Sequence, residues 1–286
     1  MAWQKWWRVS QWAAYLGHME LPVKASTKRA LLELETSRGD LLSAKELSGL
    51  MIEDALFALR LLKEANLRLP RRLARDITTP LGVVLALGTN QFNAQINAAP
   101  ATAEDNDGFN KCEGRAALAA RIAVAWGGLH FDLDTGELAL AALLANAGEI
   151  ELWAFAPEVP QAALDELHTG RAKRSEQAQE QACGFLFNDL TLKLCEDWAL
   201  PPLILHLIRG DENLRAKLAR LAVNTARHLD NGPDDPALPH DVLEAAHLTG
   251  ASIAHAATAL PILDDEQKAA LADVATQLSQ ASSPPS

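Results

Sequence analysis

The chain has 286 residues, 49% of them apolar and 22% charged, which is enough to bury one large core or two smaller ones and is ordinary for a soluble globular protein. Its apolar runs fall far short of the roughly 20 residues that a membrane span needs, and the N-terminus lacks the continuous apolar stretch of a secretory signal. The net charge of −11 is uneven, with 13 Lys and Arg against 9 Asp and Glu in residues 1–100 and 13 against 28 in residues 101–286; this asymmetry argues for two parts with different surfaces and against nucleic acid as a partner.

Almost every segment reads as helix. At the N-terminus, "MAWQKWWRVSQWAAYLGHM" concentrates Trp3, Trp6, Trp7 and Trp12; as a helix it places Val9, Trp12, Ala13 and Leu16 on one face, which the other indoles extend. "STKRALLEL" offers Ser26 as a cap. "SAKELSGLMIEDALFALRLLKEANLRL" reads as two short helices meeting near Glu53. "TTPLGVVLALG" opens on Thr and Pro and stops at Gly88, the usual order of helix start and stop signals. "NAAPATAEDNDG" collects turn residues and is the expected boundary between a helical part over 19–100 and a second part over 101–286, with 1–18 as a Trp-rich helix before both.

Beyond it, "RAALAARIAVAWGG" reads as a buried alanine-rich helix. "DTGELALAALLANAG" starts with Asp134 and Glu137 in a capping-box pattern, and "LALAALLANAGEIELW" has the rhythm of a buried helix carrying Ala145 and Asn146 into a central pocket just before Gly148. "EQAQEQACGFLFNDLTLKLCEDWALPPLILHLI" reads as two helices broken at Pro201-Pro202. "ENLRAKLARLAVNTARHL", "HDVLEAAHLTGASIAHAATAL" and "DDEQKAALADVATQLSQA" finish the helical series. Regular β alternation is absent, so the expected class is all-α: a two-part helical bundle. Three cysteines, Cys112, Cys183 and Cys195, cannot all pair and none lies in a CxxC, which favours reduced thiols in the cytoplasm.

The order and spacing of several of these motifs resemble an HDOD domain. Leu21-Pro22, Leu56, Leu61-Leu62, Ala65-Asn66, Ile77 and Leu87-Gly88 match the family's N-terminal pattern, with Ala55 where the family usually has the proline of an Asp-Pro pair. "AALLANAGEIEL" and the Glu196, Trp198, Leu200, Pro201 segment continue it, so that the resemblance covers roughly residues 18–230. It implies an HD-like helical core with an N-terminal helical subdomain, in a bacterial signalling module related to metal-dependent HD phosphohydrolases. In those enzymes His, a His-Asp pair and a later Asp hold the metal that activates water. Here the corresponding positions are Cys112, Ala145-Asn146 and Val223, and the accessory histidines fall near Phe187 and near Gly210-Asp211-Glu212. An alanine, a valine and a neutral amide do not hold a hard cation. The resemblance therefore implies a degenerate site without metal or other cofactor and without HD-type hydrolysis.

Other motifs read more simply as structure. The literal His240-Asp241 lies after Pro239, where Asp241 suits a helix cap. Glu244 and His247 make a lone E-x-x-H, without the second copy and further carboxylates of a di-iron site. "DLDTGE" lacks the glycine spacing and terminal glutamate of a calcium loop. Cys183 and Cys195 sit in apolar surroundings and read as small buried hydrophobes.

Two surfaces are candidates for partner binding. One is Arg68, Arg71, Arg72 and Arg75 in "RLPRRLARD", able to meet an acidic protein surface or a phosphate, or to sit as a solvated helix face. The other is Trp3, Trp6 and Trp7, which must be covered by the chain's own core, a protein partner, a second copy or, with only Lys5 and Arg8 for positive charge, a membrane surface. The expectation is a stand-alone adaptor that binds signalling proteins, with a homodimer as one form of partner and no nucleic acid or membrane span. Two alternatives are a divergent phosphohydrolase built on ligands such as His130, His206 and His228, and a metal-free sensor of a nucleotide or other small molecule in the relic pocket.

Overall fold

The computed structural model of the protein describes residues 7–68, 76–103 and 105–281. Helix α1 (Val9–Leu16) buries Trp12, Ala13 and Leu16, the face its spacing predicts, and packs against α12 (Phe187–Asp197). Burying one indole stabilises by something on the order of 5 kcal/mol. Trp7 leans on Trp12, ring centroids 4.9 Å apart. Trp3 and Trp6 lie outside the described residues, as do Arg71, Arg72 and Arg75, whereas Arg68 ends a helix.

Helices α2 (Ala25–Arg38), α3 (Ala44–Met51), α4 (Ala55–Arg68), α5 (Pro80–Leu87) and α6 (Thr89–Ala98) follow. Ser26 does not cap α2: the helix starts two residues earlier than that cap implies, with Lys24 at the cap position. The two-helix reading around Glu53 holds, and Ser43 and Glu46 close a capping box on α3 that the sequence reading passed over. Thr79 caps α5 by accepting the Gly82 N–H at 3.1 Å, and Gly88, at φ +78°, turns the chain into α6.

The N-terminus of α4 is held from a distance. Asp54 accepts from the backbone N–H groups of Lys24 and Phe57 and the hydroxyl of Thr27. Glu113, on α7 (Asp107–Gly127), accepts from the N–H groups of Ala55 at 3.1 Å and Leu56 at 3.3 Å. Both carboxyls are fully buried. Burial, and then the neighbouring Asp54, push Glu113 up to about 8. A proline at position 55 would have no N–H to give it.

Helix α7 is the axis of the fold. It runs beside α8 (Thr135–Leu144) and α14 (Leu214–Asp230), and its two faces serve two cores. Phe109, Cys112, Ala116 and Ala120 enter a core with Trp12, Leu56, Phe57, Phe92, Leu140 and Leu190. Leu118, Ile122 and Trp126 enter another with Leu138, Leu218, Ala222, Leu238, Val242 and Leu260. The first core therefore mixes residues from before and after the turn-rich 99–106 stretch. The Trp126 indole donates to the Ala256 carbonyl at 2.9 Å, fixing α16 (Ile253–Thr258) against α7.

Two helix expectations need correction. "LALAALLANAGEIELW" is not one helix but α8 and α9 (Ala147–Phe155), bent by 41°. The Gly148 N–H leaves the helical ladder and donates to Thr191 Oγ1 of α12 at 3.0 Å. A Cβ on Gly148 would meet the Thr191 backbone nitrogen at 2.8 Å, so the close crossing of α9 and α12 requires glycine. The 175–209 segment makes three helices, α11 (Ser175–Cys183), α12 and α13 (Pro202–Arg209), because Gly184 adopts a left-handed φ of +75° and ends α11. Helix α10 (Glu158–His168) precedes them; α15 (Leu238–Thr249) and α17 (Asp265–Ala281) complete the series. No strand forms among the described residues; Val23 and Ala101 make an isolated parallel bridge. No single described helix is long and apolar enough to cross a membrane.

Candidate functional site

The bend between α8 and α9 opens onto a cleft of about 290 Å³ whose walls come from α11, α12, α13 and α14. Ala145, Asn146 and Val223 line it together with Phe187. The fold thus brings together three of the four positions that resemble the HD ligand set. Cys112 stands apart, buried on α7, and burial raises its thiol well above the ordinary range.

Between Cys112 and the cleft lies Arg115. Its guanidinium is 3.6 Å from Cys112 Sγ, 3.5 Å from Glu149 and 3.5 Å from Asp230, with 17% of the side chain exposed. The positive charge among these groups is therefore a guanidinium, and it opposes the approach of a second cation. Glu149 lines the cleft; Arg115 lines a smaller adjoining cavity of about 90 Å³ that shares Glu149, Ser175, Gln179, Phe187 and Arg227 with it. The donor set of Cys112, Ala145, Asn146 and Val223 does not fit a divalent metal. Among the described residues, no three His, Cys, Asp or Glu side chains gather as a metal-ligating group.

The remaining histidines and carboxylates have separate local roles. His130 stacks on Phe131, and His206 lies 3.8 Å from Asp211. Asp241 is not a cap: α15 begins at Leu238, and the largely buried Asp241 carboxylate lies 2.6 Å from His228 Nδ1. Its pKa is raised by burial, against the opposing hydrogen bond from His228. Asp134 caps α8, accepting from Gly136 and Glu137, but Glu137 turns away from the expected capping box to Arg215 at 3.1 Å and Thr78 at 3.2 Å. Glu244 and His247 are exposed on α15. Cys183 and Cys195 are free thiols, and burial pushes each up to about 12.

Three arginines on the cleft escaped the sequence reading: Arg209 at the end of α13, and Arg220 and Arg227 on α14. A signal was available. In "RLAVNTAR", Arg220, Val223, Asn224 and Arg227 recur at i, i+3, i+4 and i+7, one face of a helix. Arg209 pairs with Glu196 at 3.3 Å, and Arg220 donates to the Gly210 carbonyl at 3.2 Å.

Among the described residues the body is all-helical, and comparison with known proteins agrees with that fold class. The chain is similar to the MmoQ response regulator from Methylococcus capsulatus, with 18% identity and a TM-score of 0.64 over 90% of this chain and 99% of that one. It is likewise similar to a virulence factor, cj0248, from Campylobacter jejuni, with 17% identity and a TM-score of 0.67 over 91% and 100%. No curated protein matches it in sequence. The family model of the HDOD domain matches residues 34–214. The chain belongs to the HDOD domain family.

Proposed function

We propose that the protein is a non-catalytic bacterial signalling module of the cytoplasm that acts by binding other proteins. The observation that carries this reading is the cleft itself: Ala145, Asn146 and Val223, which the resemblance matches to metal-ligand positions, line it, and the Arg115 guanidinium holds the neighbouring carboxylates. No atom in this set generates a nucleophilic hydroxide in the way a bound metal does. The similarity to a protein described as a response regulator supports a place in signal transduction. Exposed apolar side chains supply contact area for a partner, notably Phe131 and the i,i+4 pair Leu81 and Leu85 on α5.

The test is metal content by mass spectrometry on protein purified without chelators or a metal-binding tag, together with phosphatase and phosphodiesterase assays. The expected result is less than a tenth of an equivalent (roughly) of any divalent metal and no turnover that a chelator abolishes. One or two equivalents of Fe, Mn, Zn, Co or Ni per chain, with chelator-sensitive turnover, would overturn the reading and favour the divergent hydrolase.

A further inference from the structure

We propose that the cleft binds the phosphoryl group of a small phosphorylated molecule, with Arg209, Arg220 and Arg227 as its cationic wall. Three independent features of the cleft converge on an anion. The first is the charge of its walls. Residues 101–286 carry 13 Lys and Arg against 28 Asp and Glu, so a concentration of arginines here runs against the surface around it. The carboxylates on the walls are Glu149, already paired with Arg115, and Glu176. Among the described residues Arg227 makes no ion pair, and Arg220 donates only to a backbone carbonyl, Gly210. A guanidinium keeps its charge at every physiological pH and presents paired N–H groups that match phosphate oxygens.

The second feature is spacing. Arg220 and Arg227 are separated by two turns of α14, about 10 Å along the axis, with Val223 and Asn224 between them on the cleft. Arg209 approaches from α13. This arrangement surrounds a group set into the recess, and the volume of about 290 Å³ lies at the small end of the range for small-molecule sites.

The third feature is a set of helix N-termini. Asn146, Ser175 and Asn188, all on the cleft, stand at the N-termini of α9, α11 and α12. None of the cap residues of these helices, Asn146, Arg174 and Leu186, caps its helix with its own side chain. The Gly148 N–H goes to Thr191 and the Phe187 N–H to Gln179, and Glu149, Glu176 and Asp189 stand in the first turns. The partial positive charge of these termini therefore adds to the arginines and does not replace them.

This inference rests on the metal-free reading of the same cleft, and the experiment separates the two. Chelator-treated full-length protein is titrated with inorganic phosphate and, separately, with adenosine monophosphate, at constant ionic strength maintained with sodium chloride, while the melting temperature is followed. The expected result is a saturable rise of about 3–5 °C at tenfold excess over Kd. The rise disappears in the double variant Arg220→Ala/Arg227→Ala, and is reduced at least fivefold in apparent affinity in Arg209→Gln. Circular dichroism confirms the helical content of each variant, and because all three side chains are exposed, Arg209→Gln tests the proposal even if the double variant does not fold. Response to adenosine monophosphate at lower concentration than to phosphate assigns the site to a phosphate ester, and the reverse order assigns it to the free ion. No rise in metal-free protein, or an equal rise in the variants, overturns the inference and leaves the non-catalytic reading intact. A rise that requires added divalent metal overturns both.

Discussion

Glu151 gives the sharpest test of the energetics. It lies in α9 with no exposed surface, and neither carboxyl oxygen has a hydrogen-bond partner. Burial raises its pKa well above the ordinary carboxylate value, and Lys63 offsets this only in part. Burial thus favours the protonated acid, and its polar atoms have lost water without replacement, a condition that costs about 1–3 kcal/mol. Glu151→Met keeps the volume and removes the unpaired atoms, so it should stabilise the protein by a similar amount, or by about 2–8 °C in melting temperature. The effect should grow with pH. The folded state holds a proton that the unfolded chain releases above the ordinary carboxyl value of 4.5, so wild-type stability falls as pH rises from there through the raised folded value. Glu113, whose folded value is about 8, contributes a fall of the same sign in both proteins, and only the difference between them reports Glu151. Denaturant melts of wild type, Glu151→Met and Glu151→Gln at pH 5, 7 and 9 measure it. The glutamine variant keeps the unpaired polar atoms but loses this pH dependence, so it should lie close to wild type at pH 5 and gain on it at pH 7 and pH 9. A methionine variant less stable than wild type, or one whose difference from wild type is the same at all three pH values, would refute the reasoning.

Four further substitutions follow from the packing. Ala55→Pro is harmless at most first helical positions, but here it removes the N–H that Glu113 accepts at 3.1 Å and should cost about 1–2 kcal/mol in equilibrium unfolding; a neutral result would mean that Glu113 does not hold α4. Gly148→Ala sets a Cβ 2.8 Å from the Thr191 backbone nitrogen and should lower stability by about 2–3 kcal/mol, whereas Gly114→Ala, where nothing lies within 4 Å, should be neutral or slightly stabilising in the same urea titration. Arg115→Met leaves Glu149 and Asp230 without their shared cation and should cost about 2–3 kcal/mol at pH 7, a loss that shrinks in the Glu149→Gln/Asp230→Asn background; an equal loss in both backgrounds would point to packing instead of charge.

Much of the fold was legible in one dimension. The apolar spacing of α1, the break near Glu53, the Thr79-Pro80 start and Gly88 stop of α5, and the alanine-rich α7 are local matters of propensity and capping, and short-range chemistry decides them. Ala145, Asn146 and Val223, which the resemblance matches to ligand positions, line one cleft. Other features came from contacts between residues far apart in the chain. The bend at Asn146 exists because Thr191 of another helix takes the Gly148 N–H. Asp241, a plausible cap by its neighbours, goes to His228 instead, and Glu137 leaves its capping box for Arg215. Cys112 misses the cleft because Arg115, one turn along α7, stands beside it and reaches Glu149 and Asp230.

Residue type and spacing thus determined which segments become helices and which chemistry a metal site would lack. Which polar groups share a space was decided by tertiary packing. A buried carboxylate or guanidinium takes whichever partner the folded chain brings within hydrogen-bond reach, because leaving it unpaired costs more than any local preference returns. Exposed groups follow the packing too: Arg209, Arg220 and Arg227 line one cleft because α13 and α14 pack together beside α8 at its bend into α9.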